Sequence, residues 1–246
     1  MLREAQLAHC LMFSDLGTLV PGDQLEIAGD EAHHAARVKR LRPGERVGLI
    51  GEQGRYAIAT LDAIGGSRSK PMLSITLDHA ASEPAPTPTL DVYAALPKGD
   101  RLDRMIDQLV QIGAHSFRPL LCDQAQRKPE TYRPEKLQRI ADEAQQQCRR
   151  VWGMQIATPI SFQEAITDQD ALIADASGTP WAAITQPQPR TALIVGPEGG
   201  WSNTERGQFV ETGARVCRFG MLIMRIETAA VVAASVIMNT HTSETG

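Results

Sequence analysis

Residues 191–205 read Thr-Ala-Leu-Ile-Val-Gly-Pro-Glu-Gly-Gly-Trp-Ser-Asn-Thr-Glu. The short apolar run that opens this stretch is typical of a buried strand. Ser202 and Glu205 have the spacing of a capping box, so a helix is predicted to begin there. The glycines of the intervening loop, residues 196–200, allow unusual backbone angles and close approach to a ligand, although an ordinary tight turn is an equal alternative. A strand, a loop and a helix in this order predict an α/β unit with a ligand loop.

Further strands and helices alternate on both sides of this unit. Apolar runs predict four more strands, at residues 90–96, 116–122, 171–174 and 216–219. Capping residues and apolar stripes predict helices that begin near Asp100, Pro134, Ser161 and Thr228. The alternation indicates a mainly parallel sheet, in which ligands bind beyond the carboxyl ends of the strands.

The amino-terminal third of the chain has a different pattern of apolar residues and glycines. Short runs separated by glycines predict strands at residues 46–50, 56–61 and 73–77, the pattern of a small β-rich module. Prolines at positions 84, 86 and 88 predict a stiff, extended linker. The sequence therefore predicts a domain over 1–80, a linker over 81–89 and a second domain over 90–246.

Composition excludes several classes of protein. The 246 residues are 42% hydrophobic and 22% charged, which is ordinary globular usage. The longest apolar run, residues 229–238, is about half of the ~20 residues that cross a bilayer, and no basic and apolar leader opens the chain. Four cysteines without a C-x-x-C pair favour a reducing compartment. We expect a cytoplasmic protein that does not enter a membrane.

Charged residues and histidines suggest local sites. The net charge of -4 argues against wholesale binding of nucleic acid, but basic residues crowd into positions 37–42. Such a cluster could contact RNA, although a solvated surface is the commoner explanation for one patch. His33 and His34 lack a third residue at ligand spacing, so no metal site is predicted.

Two more segments carry charges where a parallel sheet would bind a ligand. Residues 96–101, Leu-Pro-Lys-Gly-Asp-Arg, form a turn from which Lys98 or Arg101 could contact substrate. Arg225 and Glu227 interrupt a strongly apolar stretch, where charges require partners or a function. A simple pair between these two at the entrance of the last helix is the plainer alternative.

Taken in order, five segments resemble the successive signatures of the RsmE family, the 16S ribosomal RNA uridine-N3 methyltransferases of the SPOUT superfamily. The segments are Glu31-Ala-His-His34, Arg42-Pro-Gly-Glu45, Leu96-Pro-Lys-Gly-Asp100, Val195-Gly-Pro-Glu-Gly-Gly200 and Arg225-Ile-Glu-Thr-Ala229. The resemblance covers nearly the whole chain from about residue 18. The last two segments, about 25 residues apart, are its specific part.

This resemblance implies an amino-terminal PUA-like β-barrel for RNA and a carboxyl-terminal α/β domain with a deep trefoil knot. It implies S-adenosylmethionine as cofactor and a homodimer. The cofactor residues it implies are Asp175, Gly196, Pro197, Glu198, Gly199, Gly200, Ile223, Met224, Glu227, Thr228 and Ala229. The expected RNA contacts are Arg37, Lys39, Arg40, Arg42, Lys98 and Arg101.

The expected activity is methylation of a uridine N3 in 16S rRNA of the small ribosomal subunit. Arg225 matches the motif arginine and is assigned to the uridine, whose anion a guanidinium would stabilise. Met224 and Ile226 stand where Leu and Thr are commoner in the family. Two alternatives stay open: methylation of a different rRNA position, or a non-catalytic RNA-binding or ribosome-assembly protein on the same scaffold.

Overall fold

The computed structural model describes residues 1–126, 132–184 and 188–242. The chain divides into two compact units. The first unit comprises Met1–Pro86 and Asp142–Gly153, and the second comprises Thr87–Ala141 and Met154–Gly246. Residues 142–153 thus join the first unit, whereas the sequence limits place them in the second domain. The domain limits predicted for this chain, 1–80, 81–89 and 90–246, stay a prediction.

A five-stranded sheet in the order β1-β3-β4-β5-β2 forms the first unit. Its strands are β1 (His9–Met12), β2 (Gln24–Ile27), β3 (Arg46–Ile50), β4 (Arg55–Gly66) and β5 (Pro71–Ser82). β1 runs parallel to β3, and the other pairs are antiparallel. A short helix α1 (Gly29–His33) continues into a π-helical turn (His34–Val38). The three strands predicted from the sequence, β3, β4 and β5, are confirmed, and β1 and β2 are two that the sequence did not indicate.

Alternating side chains build the core of this unit. Along β5, Leu73, Ile75 and Leu77 are buried while the residues between them are partly exposed, as expected when successive side chains point to opposite faces. Polar contacts hold residues 142–153 in the unit. The Trp152 indole nitrogen donates to the Glu83 carbonyl oxygen at 3.1 Å.

The second unit is built on a parallel sheet in the order β12-β10-β11-β6-β7-β8, with β9 paired to β7. Its strands are β6 (Thr89–Ala94), β7 (Ser116–Leu121), β8 (Gln155–Ile156), β9 (Ile160–Ser161), β10 (Ala171–Pro180), β11 (Arg190–Val195) and β12 (Arg215–Arg218). Every ladder is parallel. The predicted mainly parallel α/β class is confirmed; the trefoil knot stays a prediction.

Four helices connect these strands, and a fifth, α6, follows the last strand, β12. The helices are α2 (Arg101–Ile112), α3 (Pro134–Cys148), α4 (Phe162–Ile166), α5 (Asn203–Glu211) and α6 (Ile226–Thr242). Both predicted capping boxes form, since the hydroxyl oxygens of Ser161 and Ser202 each accept a hydrogen bond from the backbone N–H three residues later. Asp100 precedes α2 but forms no cap bond. Its carboxylate pairs instead with Arg104, one turn on, at 2.6 Å.

Helix α6 begins at Ile226, two residues before the predicted start, and packs against α2. Its buried side chains are mostly small, which permits close approach to the sheet and to α2: Ile226, Ala230, Ala233, Ala234 and Ile237. Ile226 is thus a core residue. No helix within the described ranges is long and apolar enough to cross a bilayer.

Candidate functional site

A pocket of about 490 Å³ lies beside the adjacent strands β12, β10 and β11. Its walls come from three loops, residues 174–177, 195–201 and 217–220, and from residues at the entrance of α6. Parallel strands bring their carboxyl ends to one edge of a sheet, which explains why segments far apart in sequence meet here. The pocket therefore occupies the place at which α/β proteins bind ligands.

The loop from β10 is a break in the strand rather than its end. Ala174 and Thr179 both pair with Cys217, so residues 175–178 leave the ladder between them. A Cβ on Gly178 would lie 2.5 Å from the Cys217 nitrogen, which only a glycine avoids. The sequence analysis expected this strand to end at residue 174. It continues to Pro180, with the pocket residues in the excursion.

The glycine-rich loop needs its glycines for three different reasons. A Cβ on Gly196 would lie 2.6 Å from the Trp201 ring, which packs against that position. Gly200 has φ +76°, a left-handed conformation that other residues rarely adopt. A Cβ on Gly199 would lie 3.3 Å from the Gln124 Cβ. Gly199 therefore lies close to the loop that follows β7.

A buried carboxylate ties the same two loops together. Glu205 is 4% exposed, and its Oε1 accepts from the Asp123 N–H at 3.0 Å while its Oε2 accepts from the Ser202 N–H at 2.7 Å. The Ser202 hydroxyl also donates to Asp123 Oδ2 at 2.6 Å. The capping box of α5 thereby links the end of the glycine-rich loop to the loop that follows β7. Sequence reasoning found the cap but could not foresee its partner 79 positions away.

Most of the predicted cofactor residues line this pocket. They are Asp175, Gly196, Pro197, Glu198, Gly199, Gly200, Ile223, Met224 and Ala229. Glu227 and Thr228 lie outside its lining. The pocket also includes side chains that the sequence did not indicate, among them Trp201, Arg206 and Phe219. The rule that ligands bind beyond strand ends could have indicated Phe219, since it directly follows β12.

The alternative raised by the sequence, a pair between Arg225 and Glu227, does not form. Glu227 Oε1 lies 3.5 Å from the Arg101 guanidinium, which also donates from Nη1 to Glu198 Oε1 at 2.7 Å. Arg225 is exposed and has no ion-pair partner among the described residues. It borders an open hollow of about 600 Å³ together with Arg101, Glu198 and Met224. A cationic side chain with no internal partner thus stands beside the pocket.

The titratable groups of the pocket offer no ready nucleophile. Cys217 lines the pocket, but burial raises the pKa of its thiol to about 11, so the thiol stays protonated at neutral pH. Within the described residues no cluster of three or more His, Cys, Asp and Glu could hold a metal ion. The arrangement is suited to binding and orienting a ligand and to stabilising negative charge beside it.

The predicted basic cluster belongs to the first unit. Arg37, Lys39, Arg40 and Arg42 are all exposed, at and just beyond the π-helical turn. None has an ion pair among the described residues. His9 nearby adds no charge, because burial, followed by Lys39 and His34, lowers its pKa to about 4. In the second unit, Lys98 is exposed and its carbonyl oxygen accepts from Arg101 Nε at 3.1 Å.

Comparison with known proteins gives a consistent picture. Residues 83–238 match the model of an RNA methyltransferase domain, and residues 27–68 match that of an RNA methyltransferase PUA domain. Proteins named ribosomal RNA small subunit methyltransferase E are similar along most of their length. The Mycobacterium bovis protein is 30% identical over 84% of this chain and 83% of its own, and the Bacillus subtilis protein is 28% identical over 86% and 88%.

Solved structures share the fold. A ribosomal RNA small subunit methyltransferase E from Neisseria gonorrhoeae, bound to S-adenosyl methionine, has a TM-score of 0.80 at 23% identity, over 94% of this chain and 98% of that one. A putative methyltransferase from Legionella pneumophila, in complex with SAM, also has a TM-score of 0.80, at 21% identity over 96% and 98%. Both likenesses concern the fold alone.

Proposed function

The chain belongs to the RNA methyltransferase family that includes ribosomal RNA small subunit methyltransferase E, and we propose that it methylates the N3 atom of a uridine in 16S rRNA with S-adenosylmethionine as donor. The observation that carries this proposal is the pocket itself. It combines glycine-rich backbone with an unpaired arginine at its rim, in a chain that matches the family over most of its length.

The residues of the pocket fit S-adenosylmethionine. A volume of about 490 Å³ lies within the usual range for small-molecule sites. Backbone of the glycine-rich loop and apolar side chains such as Met224 suit a purine ring, and the Asp175 and Glu198 carboxylates can accept from hydroxyl or ammonium groups. When bound, the cofactor supplies an electrophilic methyl group.

Arg225 is proposed to act on the uridine. Uracil N3 is a poor nucleophile until its proton leaves, and the resulting anion spreads onto the flanking carbonyl oxygens. A guanidinium stays charged at all relevant pH values and can donate to such oxygens in a forked arrangement. Because Arg225 forms no ion pair with any residue that the structure describes, this charge is available to the substrate. We therefore assign to Arg225 a lowering of the uridine pKa rather than a role as a general base.

The first unit is proposed to bind RNA through the basic cluster at residues 37–42. A chain with a net charge of -4 needs a local basic face to approach a polyanion, and these side chains are exposed and unpaired within the described residues. Because an rRNA or small-subunit substrate is found in the cytoplasm, we propose that the protein is cytoplasmic.

A homodimer is the proposed assembly. Met221, Leu222 and Ile223 are 88%, 81% and 93% exposed, an unusual run of apolar side chains in contact with water. The valines of α6 at positions 231, 232 and 236 are only half-buried. A second copy would cover both sets. Sedimentation at micromolar concentration should give a dimer; a fully active monomer would contradict this.

Mapping of methylated uridines tests the activity. Ribosomal RNA from cells with and without this protein should differ at one 3-methyluridine, which returns when the wild-type gene is restored. A methyl group missing from another base or from a ribose would identify a different methyltransferase on the same scaffold. Unchanged rRNA together with no binding of S-adenosylmethionine would favour a non-catalytic RNA-binding or assembly protein.

A further inference from the structure

Arg101 is the first residue of α2 and the centre of a small ionic cluster. Its Nη1 lies 2.7 Å from Glu198 Oε1 and 3.5 Å from Glu227 Oε1, while its Nε donates to the Lys98 carbonyl oxygen at 3.1 Å. One side chain thus contacts three segments: the turn before α2, the glycine-rich loop and the first turn of α6. The side chains of Arg101, Glu198 and Glu227 are 22%, 30% and 17% exposed, so water screens the cluster only in part.

Arg101 joins two of the segments that line the pocket, the glycine-rich loop and the entrance of α6. Glu198 sits at the middle of the glycine-rich loop, and Glu227 follows directly after Arg225 and Ile226. We propose that Arg101 is a positioning residue, which holds the glycine-rich loop against the entrance of α6 in the conformation that binds S-adenosylmethionine. This inference rests on the proposed function, because it concerns the same cofactor pocket.

Charge balance explains why the loop depends on this residue. The cluster contains two carboxylates and one guanidinium, and Glu227 Oε2 is buried without a hydrogen-bond partner among the described residues. Without Arg101, two carboxylates would face each other with no cation between them, and their repulsion would move the loop away from α6. The hydrogen bond to Glu198 correspondingly raises the pKa of the Arg101 guanidinium.

The same contacts make Arg101 a weak candidate for an RNA contact, which is the role expected from its place in the turn before α2. A bidentate grip on a phosphate would compete with the two carboxylates for the guanidinium. Lys98 is exposed on the same turn, and its ammonium group has no ion pair among the described residues. Arg101 should therefore affect cofactor binding, and Lys98 should affect RNA binding.

The test measures the Kd for S-adenosylmethionine and, separately, the Kd for rRNA. In Arg101→Ala we expect the cofactor Kd to rise about tenfold, which corresponds to a loop that is competent about a tenth of the time. RNA affinity should stay within about twofold. Arg101→Lys should recover part of the loss, since it keeps the charge without the fork. Arg104→Ala is the matched control, because Arg104 lies one turn along and its partner Asp100 is exposed.

Each outcome decides between named alternatives. Wild-type protein that fails to bind S-adenosylmethionine would overturn the proposed function, not this inference alone. Wild-type cofactor affinity in Arg101→Ala, or a loss of RNA affinity instead, would overturn the positioning role. Should Arg101→Ala fail to fold, Glu227→Gln removes one partner from outside the pocket lining and must still weaken cofactor binding.

Discussion

Two arginines of the second unit, Arg190 and Arg225, are used in opposite ways. Arg190 begins β11 at the amino-terminal edge of the sheet, and its guanidinium binds three carboxylates and a hydroxyl. The partners are Asp91, Asp168, Asp170 and Tyr93, at 2.8 to 3.3 Å. Arg225 stands by the pocket with no ion pair among the described residues. At the amino-terminal edge of the sheet, the charge of Arg190 stabilises the fold. Near the opposite edge, the charge of Arg225 is available to a ligand.

Replacing Arg225 gives the largest effect expected from this contrast. Arg225→Ala should lower single-turnover methyl transfer by about two to three orders of magnitude, the usual result of losing one donor to a developing anion. Cofactor affinity and melting temperature should barely change, because the side chain is exposed and forms no ion pair within the part of the chain that the structure describes. All three quantities are measured on one preparation. A rate within a few-fold of wild type would remove the catalytic assignment.

Replacing Arg190 should give the converse result. Arg190→Gln leaves three carboxylates without their cation and should cost about 2–3 kcal/mol of unfolding free energy, measured by denaturant titration. Arg104→Gln, which breaks an exposed pair, should cost less than about 1 kcal/mol. A similar small loss at both positions would show that the Arg190 network contributes little.

Low pH should reduce the difference in unfolding free energy between wild type and Arg190→Gln. The hydrogen bond from Arg190 holds the pKa of Asp168 below its ordinary value. A carboxyl whose pKa is lowered in the native state stabilises it above the unfolded pKa of about 4, and this stabilisation is lost as the pH falls through the native pKa. The gap between wild type and Arg190→Gln should therefore narrow below about pH 4. A gap independent of pH would contradict the role given to Asp168.

A substitution in the glycine-rich loop alters the pocket without changing its charge. The Cβ of Gly199→Val would already contact Gln124 at 3.3 Å, so the added methyl groups should displace one of the two loops. Cofactor affinity should fall about tenfold, as judged by equilibrium titration. Gly207→Ala is the matched control: a Cβ there meets nothing within 4 Å, and α5 should gain up to about 1 kcal/mol. Undiminished affinity in folded Gly199→Val would count against the loop as cofactor site.

The basic cluster of the first unit resembles Arg225, because its charges are also unpaired within the described residues. We expect the smallest effect here. Replacing Arg37, Lys39 and Arg40 by Gln should weaken RNA binding and reduce the salt-dependence slope by about 2, at ~0.7 per phosphate contact. Cofactor affinity should not change. An equal effect from replacing the exposed Arg68 and Lys70 would show that total charge matters rather than the cluster.

Local sequence patterns predicted the elements well. The apolar stripe of α2, the capping boxes at Ser161 and Ser202, and the alternation of strands and helices all depend on neighbours within four residues or so. These features are confirmed. The motif residues that gather at the pocket were implied by the resemblance to the RsmE family, and they meet there because the carboxyl ends of parallel strands lie at one edge of the sheet.

What the sequence could not predict are the long-range partners. Arg101 and Glu198 are 97 positions apart, and nothing local distinguishes this pair from an exposed one. The four-residue excursion in β10 depends on a neighbouring strand about forty residues later. Residues 142–153 belong to the first unit through contacts such as that of Gln146 with Glu31, 115 positions away. Partner choice at this distance is settled by tertiary packing.

The pH dependence of methyl transfer tests the central claim most directly. If Arg225 lowers the pKa of the uridine, single-turnover rates of Arg225→Ala should rise with pH and approach those of wild type at alkaline pH, where the N3 proton leaves without help. The wild-type rate should level off at a lower pH. A deficit in Arg225→Ala of the same size at every pH would contradict the electrostatic role assigned to this free charge.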